Sequence, residues 1–195
     1  ASIYPLLREE LFNINGNIDF FLGDERCVPS SHIESNYRMI LKTLFPNGFP
    51  QGQVLHKMYN DDDSPEQAAF KYENLIPTMP DILLLGLGDD GHIASLFPGT
   101  NWQEDNLSKI ITAISPINET RRITITKRVI DEAKEILVLA SGSNKSDVVQ
   151  KLYSKQYSFL DLPAILAKRG IWLIDESAAS KINLSSGQSI VTSKL

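Results

Sequence analysis

Asp89, Asp90 and His92 follow an apolar run and sit among glycines in LLLGLGDDGHIASLFPGT, residues 83–100. An imidazole, with an ordinary pKa of ~6.5, suits a base at neutral pH. The run at 82–85 reads as a buried strand. Gly86, Gly88 and Gly91 let the backbone turn sharply after it, so the acids and the histidine land at the strand's carboxyl end. Open α/β sheets bind their ligands at that edge. An isolated histidine near a helix start is more often structural, but the acid–acid–glycine turn in front of this one favours function.

Two further strand ends carry charge. GDER, residues 23–26, follows the apolar IDFFL, and a carboxylate pair with an arginine at such a place is poorly explained by packing. SGSNKS, residues 141–146, follows ILVLA. It reads as a glycine turn feeding a helix start with Lys145 in the first turn, where backbone N–H groups favour an anion. An ordinary capped helix start reads equally well from these residues alone. Arg121 and Arg122 in TRRITIT add guanidinium groups, strong bidentate ligands for phosphate or carboxylate.

Several chemistries fit less well. Gly86, Gly88 and Gly91 spell the outline of a dinucleotide-binding turn, but Asp89 and Asp90 would then oppose the pyrophosphate charge. No metal is expected, because Asp90 and His92 lack a partner spacing of the HxH, HExxH or paired-cysteine kind, and His32 and His56 lie in unrelated contexts. There is no G-x-S-x-G elbow, and the one cysteine has no histidine at a telling position. Acid–base attack by water remains.

The elements that must hold these groups alternate. Strands are predicted at 18–22, 82–85, 110–114, 123–126, 136–140 and 171–174, and helices at 3–12, 36–45, 65–75, 145–153 and 163–167. Ser64 is the expected cap of the third helix, ahead of Pro65 at its first position. Strands separated by helices imply parallel pairing, and runs such as ILLLG and ILVLAS are apolar enough for a sheet covered on both faces. The expected fold is α/β: a doubly wound, mostly parallel sheet of Rossmann-like type with helices on both faces. Turn-rich loops are expected at 45–53, 60–65 and 97–106, none long enough to separate domains, so residues 1–195 read as one domain.

A chain of 195 residues, 42% hydrophobic and 22% charged, can bury a sizeable core. Its net charge of −5 argues against nucleic-acid and anionic-membrane partners, so an anionic ligand must be met by local bases. The single Cys27 excludes an internal disulfide and favours a reducing compartment, and no apolar stretch is long enough to span a bilayer. A cytoplasmic location is expected. The closing Ser193-Lys194-Leu195 spells a peroxisomal address, which a polar tail also produces by chance. Sequons starting at Asn106, Asn118, Asn144 and Asn183 are discounted on the same ground.

GDERCVPSSHIESNY, LLLGLGDDGHIASLFPG, RRITIT and LPAILAKRGIWLIDESAA occur in this order and together resemble the 6-phosphogluconolactonase family. The resemblance runs from about residue 4 to 179, and DGHxASLFPG is its most specific part. It implies hydrolysis of 6-phosphoglucono-δ-lactone in the pentose phosphate pathway, a phosphorylated sugar lactone as partner, and no metal or organic cofactor. Carried onto matching positions, it implies that His92 is the general base, that Asp90 supports His92, and that Arg26 meets developing negative charge or binds the substrate's anionic group. Arg122 and Lys145 would hold the phosphate, with Asp24 and Gly91 in the same substrate-binding set.

The resemblance also frames two alternatives. The glucosamine-6-phosphate deaminases share the DGH turn but continue I-A-F-N-E-P, whereas Phe97 stands here in place of their glutamate, and their Asp-Glu-Tyr is Asp24-Glu25-Arg26 in this chain. Family members also carry a first strand ending in a Ser-Gly-Gly-rich phosphate loop, which is absent from these residues. Either the sequence is a segment of a longer protein, with a fused or associated glucose-6-phosphate dehydrogenase as one form of the remainder, or the chain is a sugar-phosphate-binding module with impaired catalysis. The segment reading is favoured.

Overall fold

The computed structural model describes residues 3–14, 16–105, 107–154 and 156–182. The Ser193-Lys194-Leu195 tripeptide and the sequon asparagines Asn106 and Asn183 lie outside the described residues. In chain order the elements are α1 (Tyr4–Phe12), β1 (Ile18–Phe21), β2 (Asp24–Arg26), α2 (Asn36–Thr43), β3 (Gln53–His56), α3 (Pro65–Leu75) and β4 (Ile82–Gly86). There follow β5 (Ile110–Ile114), β6 (Arg121–Ile125), α4 (Lys127–Glu132), β7 (Glu135–Ala140), α5 (Ser146–Tyr153) and β8 (Ile171–Ile174).

Two sheets are parallel, as the alternation of strands and helices requires. β1 pairs with β3, and β7 lies between β4 and β8, with Ile82 opposite Glu135 and Leu137 opposite Ile171. The third sheet, in the order β2-β6-β5, is antiparallel and departs from the expected parallel pairing. Its central strand begins at Arg121, two residues before the apolar signal, because Arg121 and Arg122 pair with Ile114 and Ala113 on one side and Arg122 with Arg26 on the other.

One hydrophobic core joins the sheets. Ile136, Val138 and Ala140 of β7 are buried with Leu83 and Leu85 of β4, Ile174 of β8, and Ile123 and Ile125 of β6. α3 packs on β5 and β6. It opens with the expected cap: Ser64 Oγ accepts from Gln67 N at 3.2 Å, and Gln67 Oε1 accepts from Ser64 N at 3.0 Å. The buried Tyr72 of the same helix fastens the end of β1, its hydroxyl accepting from Leu22 N at 2.5 Å and donating to Leu22 O at 3.3 Å.

Two predicted helices differ in kind. Residues 163–167 form a 3₁₀ turn, Pro163–Ala167, a form suited to five residues that start at a proline. The segment beginning at 145 is a 3₁₀ turn, Ser143–Lys145, that runs into α5. Among the described residues no helix is long and apolar enough to cross a membrane.

Candidate active site

The turn after β4 is wound tightly enough to present a dyad. Gly88 N donates to His92 O at 2.9 Å and Gly91 N to Gly88 O at 3.1 Å, which folds His92 back over the start of its own loop. A Cβ on Gly88 would stand 2.2 Å from His92 Nδ1, so only glycine admits the ring. Gly91 has φ +90°, and a Cβ there would meet Leu162 Cδ1 at 2.1 Å. Its carbonyl accepts from Ala164 N at 2.9 Å. Gly91, expected in substrate binding, thus sits in a left-handed position that packs the turn against the Pro163–Ala167 segment.

The loop geometry sets the proton on His92. Nδ1 lies 2.6 Å from Asp90 Oδ1, and the same oxygen accepts from His92 N at 3.1 Å. An ionised carboxylate only accepts, so Nδ1 carries the hydrogen, and in the neutral ring Nε2 presents a lone pair. Nε2 has no hydrogen-bond partner among the described residues. Burial pushes the Asp90 carboxyl up, but the hydrogen bonds from the His92 ring and backbone outweigh it, and the net shift is downward. The imidazole is 27% exposed, so a ligand can reach it.

Facing this loop is the antiparallel sheet. Arg26 of β2 and Arg122 of β6 are direct cross-strand partners. Like charges so placed destabilise a sheet unless compensated. Partial compensation comes from Asp24, whose Oδ2 is 3.7 Å from Arg122 Nη1. Burial first, and the Arg26 guanidinium second, push Arg122 down from the ordinary arginine value, while Asp24, Glu34 and Glu25 oppose them. Arg26 Nη1 donates to Glu34 O at 2.5 Å, and its Nε is buried without a partner among the described residues. Phe97 joins the two halves: its ring centre is 4.8 Å from that of His92 and 5.9 Å from Arg122 Cζ.

Asp24 has its oxygens engaged within the protein. Ser95 Oγ donates to Oδ2 at 2.7 Å and Asn36 Nδ2 to Oδ1 at 3.1 Å. Glu25, the other acid of GDER, is 2% exposed and accepts from Asn36 N, Tyr37 N, Arg26 N and Ser35 Oγ at 2.7 to 3.0 Å. It holds the N-terminus of α2, where orphan donors and the helix dipole favour an anion. Its charge is therefore accounted for by structure.

Lys145 lies at the third strand end, and its ammonium is ion-paired with Asp89, which also accepts from Asn144 Nδ2 at 2.9 Å. The lysine's hydrogen bond leads the causes that hold the Asp89 carboxyl below the usual range. The expected groups thus assemble as an Asp90–His92 dyad, an Arg26–Arg122 pair, and a lysine tied to the dyad's own loop. Sequence reasoning left Ser95 and Asp89 without roles. Both stand in the DGH segment, but the contacts that give them roles lie 71 and 56 residues away along the chain.

The site can polarise a water molecule at Nε2 and place cations near an anionic ligand. Among the described residues no group of three or more His, Cys, Asp or Glu side chains is arranged to hold a metal. Comparison with known proteins agrees with this architecture. The family described as glucosamine-6-phosphate isomerases/6-phosphogluconolactonase matches residues 3–173. The chain is 34% identical to 6-phosphogluconolactonase of Haemophilus influenzae over 171 residues, covering 83% of this chain and 73% of that protein. A crystal structure of 6-phosphogluconolactonase from Leishmania guyanensis superposes with a TM-score of 0.74 at 25% identity, over 93% of this chain and 82% of the other. A monomeric glucosamine-6-phosphate deaminase superposes with a TM-score of 0.70 at 26% identity, over 90% and 80% of the two chains. On the extent of these matches, the chain belongs to the glucosamine-6-phosphate isomerase/6-phosphogluconolactonase family.

Proposed function

We propose that the chain is a lactone hydrolase that converts 6-phospho-D-glucono-1,5-lactone to 6-phosphogluconate. The observation that carries this reading is the Asp90–His92 dyad, with Nδ1 committed and Nε2 free, beside an opposed pair of arginines. His92 Nε2 accepts a proton from water as the water oxygen bonds to the lactone carbonyl carbon. The carbonyl electron pair moves to its oxygen, and a guanidinium, Arg26 in this reading, stabilises the negative charge. When the pair returns, the bond to the ring oxygen breaks and the imidazolium supplies its proton to that leaving oxygen. The base is thereby regenerated, and the reaction draws on no metal or organic cofactor.

Arg122 and Lys145 are assigned to the phosphate. For Lys145 this requires exchanging Asp89 for the ligand, a contact that solvent screening keeps weak because the Asp89 side chain is 65% exposed. Residues 1–195 are read as one domain, in keeping with the continuous core. The deaminase reading is disfavoured by Phe97, a buried hydrocarbon ring that offers the imidazole no acceptor.

The test is acid release from freshly prepared 6-phosphogluconolactone, followed at constant pH. The protein is expected to raise the rate well above spontaneous hydrolysis; an unchanged rate rejects the proposal. Ammonia release from glucosamine 6-phosphate would instead select the deaminase.

A further inference from the structure

We infer that Ser95 and Asp24 are positioning residues for Arg122, forming a buried tie that sets where the guanidinium stands relative to His92. The inference rests on the lactonase reading above. Ser95 is 0% exposed, and both of its hydrogen-bond donors cross to the antiparallel sheet. Its N–H donates to Thr124 Oγ1 at 3.0 Å and its hydroxyl to Asp24 Oδ2 at 2.7 Å.

Asp24 and Thr124 are themselves direct partners across β2 and β6, so one serine grips both members of a single cross-strand pair. The next pair on the same face, two residues along each strand, is Arg26 with Arg122. The grip on the first pair therefore fixes the sheet face from which the arginines project. Ser95 also stands three residues after His92 and two before Phe97, the ring that touches both His92 and Arg122. It pins the middle of the segment that carries the base.

Asp24 holds Arg122 without consuming its fork. At 3.7 Å the contact is an ion pair rather than a short hydrogen bond, and the described hydrogen bond from the Arg122 side chain is Nε to Thr120 Oγ1 at 3.2 Å. The Nη groups are left to donate to an anion, as a phosphate ligand requires. Asp24 thus acts on substrate through Arg122 and does not contact it.

A double-mutant cycle tests this in the full chain, with Ser95→Ala, Arg122→Gln and the pair together, reading KM and kcat for 6-phosphogluconolactone hydrolysis. Ser95→Ala is expected to raise KM about tenfold beside native Arg122 but less than about twofold in the Arg122→Gln background, because the effects of coupled residues are not additive. A KM that moves by the same factor in both backgrounds, as a merely structural serine would give, overturns the inference, and so does a KM that does not move. Should Ser95→Ala not fold, Asp24→Asn keeps the shape and enters the same cycle with the same expected outcomes. If the unmodified chain shows no turnover, the lactonase reading fails separately. The cycle is then read as thermal protection by 6-phosphogluconate, and absent protection overturns the positioning role as well.

Discussion

At the scale of single residues, what each polar atom is already bonded to decides what it can do. His92 Nδ1 is committed to Asp90, and a neutral amide at that position would hold the ring less firmly and would not stabilise the imidazolium. Asp90→Asn is expected to lower kcat by about 10²-fold with a smaller change in KM, measured by initial rates. Cys27 makes a contrasting case. Burial, ahead of the mixed effects of Arg121, Glu25, Glu66 and Arg122, pushes its thiol up to about 11. The thiol is therefore protonated at neutral pH, and the native chain should alkylate far more slowly than the unfolded chain in a timed iodoacetamide reaction. The Asp90–His92 turn is legible in the sequence because the partners lie two residues apart and the surrounding glycines announce the bend. Glu25 is not, since GDER reads as a charged strand end and only the fold brings α2 to cover it.

At the scale of elements, the site is held by turns and helix starts that tolerate little change. Gly91→Ala would force φ +90° on a side-chain-bearing residue and drive its Cβ into Leu162. A loss of about 2–4 kcal/mol is expected in denaturant unfolding, with activity falling alongside because the turn carries the proposed base. Glu25→Ala would leave the half-buried start of α2 without its acceptor, and about 3 kcal/mol of destabilisation is expected by the same measurement. Strands with apolar runs, β4, β5, β7 and β8, lie at or close to their predicted bounds. β2 escapes a sequence reading because its three residues are all charged, and α4 because six residues are too few for a helical period to show. The antiparallel sheet follows from pairings that no local pattern encodes, and that sheet carries both arginines.

At the scale of the whole molecule, acid should loosen the protein through its carboxylates. Asp89, Asp90, Asp105 and Asp175 are all held below the usual value, by hydrogen bonds from Lys145, His92, Ser108 and Ser141 respectively, against the burial that leads at Asp90. Groups whose folded pKa is depressed contribute stability that is complete above the unfolded value of ~3.9 and is lost as pH falls through the folded values. The melting temperature should accordingly drop as pH is taken below about 4, and the drop should shrink in Asp175→Asn, where one such group is gone. The adjacency of the turns after β4 and β7 follows from the α/β pattern, since both strands end on the same side of one parallel sheet, whereas the pairing of Lys145 with Asp89 does not, because both look like ligand-binding charges when read one at a time.

The most direct test compares lactone hydrolysis by the unmodified chain and by His92→Ala at equal concentration, with circular dichroism to establish that both are folded. A fall of about 10²–10⁴-fold in kcat with an unchanged spectrum is predicted. Equal rates from the two folded proteins would contradict the assignment of Nε2 as the base.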